Sequence, residues 1–249
     1  MAARATSSTS SSEVGGEVAV ALAWLRRRGT AANRRGMARY GIVSPRVFGV
    51  PMAVLRPLAT RLGRRQDLAD ALWTTGWLEA RMLAGLVADP GRIGPAAMNA
   101  WARDFDNWAI VDGTCLHVFC RSPHAWGRVA AWRRARGEYQ RRAAFALLAC
   151  LAVHDHQAPD ARFRHALAWV AQGAADERPY VRKAVNWALR QIGKRSPALR
   201  RDAMASARRI AARGTPGARW IAADALAELA RPAVMARIAE RRRRRPAQR

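Results

Sequence analysis

Apolar residues recur at intervals of three and four positions along nearly the whole chain, which is the spacing of one face of an α-helix. The alternating pattern of strands is scarce. Prolines near the starts of the periodic segments and glycines near their ends agree with helix boundaries. We predict that segment 40–50 is an irregular connector between helices. The predicted helices are 15–28, 31–39, 51–62, 66–75, 77–88, 95–103, 106–120, 123–135, 138–153, 160–172, 178–193, 197–212 and 217–230.

Helices that carry Trp or Arg recur about every 30 to 40 residues, a period typical of HEAT-like repeats. They are the predicted helices 77–88, 106–120, 138–153, 178–193 and 217–230. Short loops between long helices favour hairpins that stack side by side. The sequence therefore predicts an all-α fold, a HEAT-like helical repeat solenoid with a concave basic groove.

The two ends of the chain differ in composition from the middle. Residues 1–14 are rich in Ser and predict a disordered leader. Residues 15–240 are predicted to form a single HEAT-like repeat domain. Residues 241–249 contain the run Arg241–Arg245 and predict a basic disordered tail that acts as an unspecific electrostatic arm.

Predicted helix 178–193 has two different faces. On one face Lys183, Trp187, Arg190 and Lys194 are spaced i, i+4, i+7 and i+11. A large aromatic side chain among cations, turned away from the core, suits a polyanion that also has flat or apolar parts, and nucleic acid has both. The opposite face is an apolar stripe of Val181, Ala184, Val185, Ala188, Leu189 and Ile192.

The overall charge of the chain also favours a polyanionic partner. The formal net charge is +26 and the pI is about 11.8, so the chain should attract polyanions. Lysine occurs only at positions 183 and 194, so nearly all of the charge is arginine, which binds phosphate through two donors. The alternative is arginine enrichment through GC-rich coding, with the charges on solvated faces.

Cysteine usage and hydropathy indicate the cellular environment of the protein. The cysteines, Cys115, Cys120 and Cys150, form no paired framework and predict reduced core residues in a cytoplasmic protein. No apolar run approaches the length of a membrane span. His154 and His156 flank Asp155, but no further ligand stands at convincing spacing, so we expect no metal and no cofactor.

A carboxylate and an indole lie one helical turn apart in segment 104–120. Trp108 and Asp112 fall on the same side of the predicted helix, opposite its apolar stripe, while Asp104 and Asp106 are interpreted as N-cap residues. An acid in a basic groove repels phosphate, so its presence there indicates a function. One such function is to stabilise the positive charge that develops on a sugar during glycosidic cleavage. The alternative for Asp112 is an ordinary salt bridge to an arginine.

Several motifs resemble the AlkD-like DNA alkylation repair family, in the same order and with similar spacing. The resemblance covers residues from about 35 to 230. The motifs are MARYGI (37–42), FGVP (48–51), EARMLAG (79–85), DFDNWAIVD (104–112), RRAAFALLA (141–149) and VRKAVNWALRQIGKR (181–195).

The resemblance implies a HEAT-like fold and a monofunctional glycosylase that excises cationic N3- or N7-alkylated purines from double-stranded DNA. By position, Asp112 is then the catalytic carboxylate. Trp108 and Trp187 pack against the deoxyribose of the damaged nucleotide, Arg142 contacts the DNA backbone, and Tyr40 borders the site. We expect a monomer with no membrane partner, associated with the nucleoid when it is bound to DNA.

The sequence departs from the family pattern beside the key aspartate. Many relatives have an acid and a cysteine where this chain has Ala109 and Val111. This departure removes a second acid and a thiol near Asp112. The alternative function is therefore a non-catalytic binder of damaged or branched DNA, and a third is a protein-interaction scaffold.

Overall fold

The computed structural model describes residues 5–244, and all regular secondary structure within that range is helical. A short 3-10 helix, Phe119–Arg121, follows α7. The α-helices in chain order, α1 to α14, are Ala5–Arg28, Ala31–Arg39, Met52–Leu62, Gln66–Thr74, Leu78–Val87, Pro95–Arg103, Trp108–His117, Ala125–Trp132, Glu138–His154, Asp160–Gly173, Pro179–Gly193, Pro197–Ala211, Pro216–Ala230 and Pro232–Arg244.

Helix boundaries in the middle of the chain follow the capping residues. Thr30 accepts a hydrogen bond from the Asn33 backbone N–H and starts α2, and Ser196 caps α12 in the same way. Prolines occupy the first position of several helices, where their missing N–H has no intrahelical partner to lose. The predicted helices are therefore confirmed to within a few residues.

The two terminal segments differ from the sequence prediction. Helix α1 begins at Ala5, so residues 5–14 of the predicted leader are helical, and residues 1–4 lie outside the described range. Helix α14 was not predicted, and it includes residues 241–244 of the predicted tail, whereas 245–249 lie outside the description. The sequence of α14 is rich in Arg and Ala, which are strong helix formers, and Pro232 occupies its first position instead of ending the preceding helix.

The chain divides between His124 and Ala125 into two compact units. This division falls inside residues 15–240, which were predicted to form a single domain. In the first unit α5 packs against α3, α4 and α7. Its core includes the stacked indoles of Trp73 and Trp101, whose ring centroids lie 4.2 Å apart, with Phe105 and Phe119 beside them. These contacts place α7 firmly on the hydrophobic core, with one side left outside.

The second unit shows a regular repeat. Helix α11 packs against α9, α12 and α13. Side chains 38 residues apart pair between every second helix, as in Asn186–Asp224 and Arg190–Glu228 between α11 and α13. Because both pairs keep the same offset, α11 and α13 run parallel. The 38-residue period confirms the predicted repeat length and is typical of HEAT-like helical pairs.

Candidate nucleic-acid interface

Helix α7 presents the predicted carboxylate and indole on its outer side. Asn107 caps the helix, since its Oδ1 accepts hydrogen bonds from the backbone N–H groups of Ala109 and Ile110 at 3.0 and 3.2 Å. Trp108 is the first helical residue, and Asp112 follows one turn later. Both side chains are partly exposed. The buried side of α7 consists of Ile110, Val111, Thr114 and Cys115.

The Trp108 indole is fixed by the connector that precedes α3. Its Nε1 donates a hydrogen bond to the backbone oxygen of Tyr40 at 2.8 Å. The Tyr40 side chain is itself 77% exposed. The structure therefore places the Trp108 indole against the Tyr40 backbone, and Asp112 lies one turn further along α7. The roles of these residues at a DNA site stay predictions.

Asp106 and Asp104 do not cap α7, contrary to the sequence interpretation. Asp106 lies one residue too early, and its carboxylate instead accepts hydrogen bonds from Ser44 Oγ at 2.8 Å and from the Asn107 side-chain amide at 2.7 Å. Asp104 ends α6 and accepts a hydrogen bond from Trp73 Nε1 at 2.9 Å. Asp106 thus ties the connector to the start of α7.

Sequence reasoning missed a buried anchor, Glu79 of α5, which is 0% exposed. Its carboxylate accepts hydrogen bonds from three consecutive backbone N–H groups, those of Phe48, Gly49 and Val50, at 2.9, 2.6 and 3.0 Å. Gly49 has φ +84, a conformation that favours glycine. An acid inside an otherwise apolar helical stretch was the signal that could have identified this anchor.

The outer side of α7 around Asp112 consists mainly of small and apolar residues. Ala109, Gly113, Leu116 and His117 are partly exposed along the helix, and Asp112 is its single acid. A Cβ placed on Gly113 would meet no atom within 4 Å. The space directly beside Gly113 is therefore open.

In the second unit, helix α11 has the two faces that the sequence predicts. Its predicted apolar stripe is buried throughout, as are Asn186 and Gly193. Lys183 is exposed, and Trp187, one turn further along, is partly exposed. The indole of Trp187 is thus outside the core of its unit, and Lys183 has no carboxylate partner among the described residues.

Two of the predicted DNA-contacting cations are paired with acids. Arg190 and Lys194 both form ion pairs with Glu228 of α13, and Arg190 Nε also lies 3.4 Å from an Asp224 carboxylate oxygen. Partial burial raises the pKa of Glu228, but hydrogen bonds from Lys194 and Arg190 outweigh it and hold that pKa below its ordinary value. These ion pairs reduce the charge that Arg190 and Lys194 can offer to phosphate.

Arg142 is buried, with 5% of its surface exposed. Its Nη1 donates a hydrogen bond to the backbone oxygen of Tyr180 at 2.7 Å, which fastens the start of α11 to α9. A contact of Arg142 with the DNA backbone stays a prediction. So does the convergence of Trp108 and Asp112 with Trp187, since these side chains belong to different units.

Two other sequence expectations concern metals and membranes. In the described part of the chain no group of three or more His, Cys, Asp or Glu side chains is placed to hold a metal ion. Asp155, from the segment with His154 and His156, instead accepts hydrogen bonds from Trp126 Nε1 and from the Ala158 backbone N–H, both at 2.9 Å. Within residues 5–244 no helix has both the length and the apolar character to cross a membrane.

The helical architecture is that of a HEAT-like repeat protein. It resembles a solved structure described as "a new family of proteins related to the HEAT-like repeat DNA glycosylases with affinity for branched DNA structures", with a TM-score of 0.68 and 20% sequence identity over 76% of this chain and 81% of that chain. This likeness confirms the predicted all-α, HEAT-like fold.

Residues 21–231 match the model of the family described as "DNA alkylation repair enzyme", and the chain belongs to this family. The family resemblance predicted from the sequence motifs is therefore confirmed. A comparison with curated proteins found no match.

Proposed function

We propose that the protein is a monofunctional DNA glycosylase that hydrolyses the N-glycosidic bond of N3- or N7-alkylated purines in duplex DNA. One observation carries the proposal: Asp112 lies one turn after an indole that the Tyr40 carbonyl fixes, and both side chains are partly exposed on α7. Membership in the DNA alkylation repair family supports it.

The chemistry requires one carboxylate and little else. An alkylated purine is cationic, so when the N-glycosidic bond breaks the base leaves as a neutral molecule with the bonding electrons. The positive charge that develops on the deoxyribose is stabilised by the Asp112 carboxylate, which also orients the attacking water. Water adds its oxygen to the anomeric carbon and releases one proton, and the products are an abasic site and the free base.

The remaining residues bind and orient the substrate in this proposal. Trp108 and Trp187 pack against the deoxyribose, Tyr40 borders the site, and Lys183 contacts a phosphate. Lysine occurs only at positions 183 and 194, and Lys194 is paired with Glu228. This distribution favours hydrolysis by water over attack by an amine.

The test is base release from methylated duplex DNA by the purified full chain. We expect free 3-methyladenine, 7-methylguanine or both to accumulate with time, together with abasic sites. Absence of release of either base, at enzyme concentrations that saturate the DNA, would remove the enzymatic proposal.

A second candidate function is non-catalytic binding of damaged or branched DNA. Ala109 and Val111 beside Asp112 favour it, because the acid and thiol of many relatives are missing there. The solved structure with affinity for branched DNA supports it as well. This candidate predicts tight DNA binding that is indifferent to Asp112→Asn.

The ion pairs of Glu228 give a test of the predicted cationic face. Glu228→Gln should release Arg190 and Lys194 and raise duplex affinity about three- to tenfold near 0.1 M salt. The control is Asp202→Asn, which adds the same charge by releasing Arg164 of α10. Titrations of labelled duplex should show the gain for Glu228→Gln alone, and equal gains would place both cations outside the DNA footprint.

Salt dependence separates DNA binding from a protein-interaction scaffold. Each phosphate that the protein neutralises contributes a slope of about −0.9 to log affinity against log salt concentration. We expect a steep negative slope for duplex binding by the full chain, measured by fluorescence anisotropy between low and physiological salt. A flat response would favour the scaffold.

A further inference from the structure

Aromatic and cationic side chains alternate across the starts of α9, α11 and α13 in the second unit. The rings of Tyr139 and Tyr180 lie 5.4 Å apart between centroids, and Lys183 Nζ lies 6.0 Å from the centre of the Tyr180 ring. The Arg182 guanidinium lies 5.2 Å from the centre of the Trp220 indole. We call this set the aromatic–cation row: Tyr139, Tyr180, Lys183, Arg182 and Trp220.

The repeat geometry explains why the row is continuous. Arg182, Asn186 and Arg190 follow one another at single helical turns along α11, and each faces the equivalent position of α13. Asn186 pairs with Asp224 and Arg190 with Glu228 across 38 residues, and Arg182 meets Trp220 at the same separation. Tyr180 faces α9 instead, through its contact with Tyr139. The row therefore crosses three alternate helices, α9, α11 and α13.

The row is open to solvent in an unusual way. Trp220 is 40% exposed, although an indole normally buries most of its large apolar surface. Lys183 is exposed, and Tyr180 and Arg182 are partly exposed. The exposed part of the Trp220 indole is therefore available to a planar ligand, beside the Arg182 guanidinium.

The charge around the row suits a polyanion. Lys183 and Arg219 are exposed and have no ion pair among the described residues. Glu177 lies 4.0 Å from Arg182 and partly offsets its charge. Glu138 accepts a hydrogen bond from the Tyr180 backbone N–H at 3.2 Å. The three cations still outnumber Glu177 and Glu138, and aromatic rings lie among them, which is the combination that holds single-stranded nucleic acid.

We propose that the aromatic–cation row binds single-stranded DNA. Unpaired bases stack on Trp220 and Tyr180, while Lys183 and Arg182 contact the phosphates between them. Bases in a duplex already stack on each other, so these rings favour an unpaired strand. The proposal does not rest on base excision: of its residues only Lys183 is also assigned a phosphate contact in the proposed glycosylase, and the rings and Arg182 have no part in the chemistry at Asp112.

The test is fluorescence anisotropy of the full chain with a labelled oligothymidylate, comparing Trp220→Ala with Trp169→Ala. Trp169 of α10 is a matched control because the Arg133 guanidinium also lies 5.2 Å from its ring centre. Trp220→Ala should weaken binding at least about fivefold, as loss of one base–aromatic stack predicts, and Trp220→Phe should restore most of it. Trp169→Ala should bind like the unmodified chain.

Two further probes separate stacking from charge and from folding. An abasic oligonucleotide of equal length should bind the unmodified chain and Trp220→Ala alike, and the variant should keep its unfolding temperature. Unchanged oligothymidylate affinity in Trp220→Ala, an equal loss in Trp169→Ala, or an equal loss with the abasic strand would overturn the proposal. Base release from methylated duplex, measured on the same preparations, reports on the proposed glycosylase separately.

Discussion

Replacing Asp112 by Asn should lower the rate of base release from methylated duplex DNA at least about 100-fold, while DNA affinity stays nearly unchanged. Asparagine keeps the size and the polar contacts of the side chain but removes the negative charge that stabilises the sugar cation. Alkylated purines leave without strong protonation, so charge stabilisation at the sugar carries most of the catalysis. Single-turnover base release measures the chemical step without product dissociation.

Asp202→Asn is the control for this loss of charge, because Asp202 is an acid of α12 whose described ion partner is Arg164. It should leave base release unchanged. Full activity of the Asp112 variant would contradict the proposed mechanism. Equal DNA binding by both variants, with no release by the unmodified chain, would instead favour the non-catalytic binder.

The helices were predictable because their signals are local. Thr30 before α2 and Pro95 at the start of α6 mark boundaries that the structure reproduces at the same residues. Helix α14 escaped prediction because Pro232 follows directly after α13 and resembles a stop signal. Proline ends one helix and begins the next equally well, so sequence alone did not distinguish the two cases.

The candidate site was predictable only where one helix contains both partners. Trp108 and Asp112 share a side of α7 because four positions make about one turn, and Lys183 and Trp187 share a side of α11 for the same reason. The pairing of Arg190 with Glu228 depends on helix packing between residues far apart in sequence. No pattern within α11 could have shown it, nor the burial of Arg142 under the start of α11.

The motifs that carry the family resemblance include structural parts of the site. Three backbone N–H groups of the FGVP motif donate hydrogen bonds to Glu79, which belongs to the EARMLAG motif. The Ser44 hydroxyl donates a hydrogen bond to Asp106. Both contacts hold the connector whose Tyr40 carbonyl fixes Trp108. The surroundings of Trp108 are thus supported by two acids, Glu79 and Asp106, whose described hydrogen bonds are to the protein itself.

Glu79→Gln should lower the free energy of unfolding by about 2–4 kcal/mol and reduce base release as well. Glutamine has nearly the same shape, but one carboxylate oxygen becomes an amide NH2 group that meets backbone N–H donors instead of accepting from them. The charge that strengthens all three hydrogen bonds is also lost. Urea unfolding followed by tryptophan fluorescence measures the first effect, and single-turnover base release measures the second.

Glu13→Gln is the control, because Glu13 is an exposed acid of α1. It should unfold at the same urea concentration as the unmodified chain. If Glu79→Gln folds with unchanged stability, the three backbone contacts of Glu79 contribute little, and the other contacts of the connector, such as that of Ser44 with Asp106, are enough to hold it. Loosening of the connector should disturb the hydrogen bond from Trp108 to the Tyr40 carbonyl. If stability falls but base release per folded molecule is unchanged, the position of the Trp108 indole does not depend on that hydrogen bond.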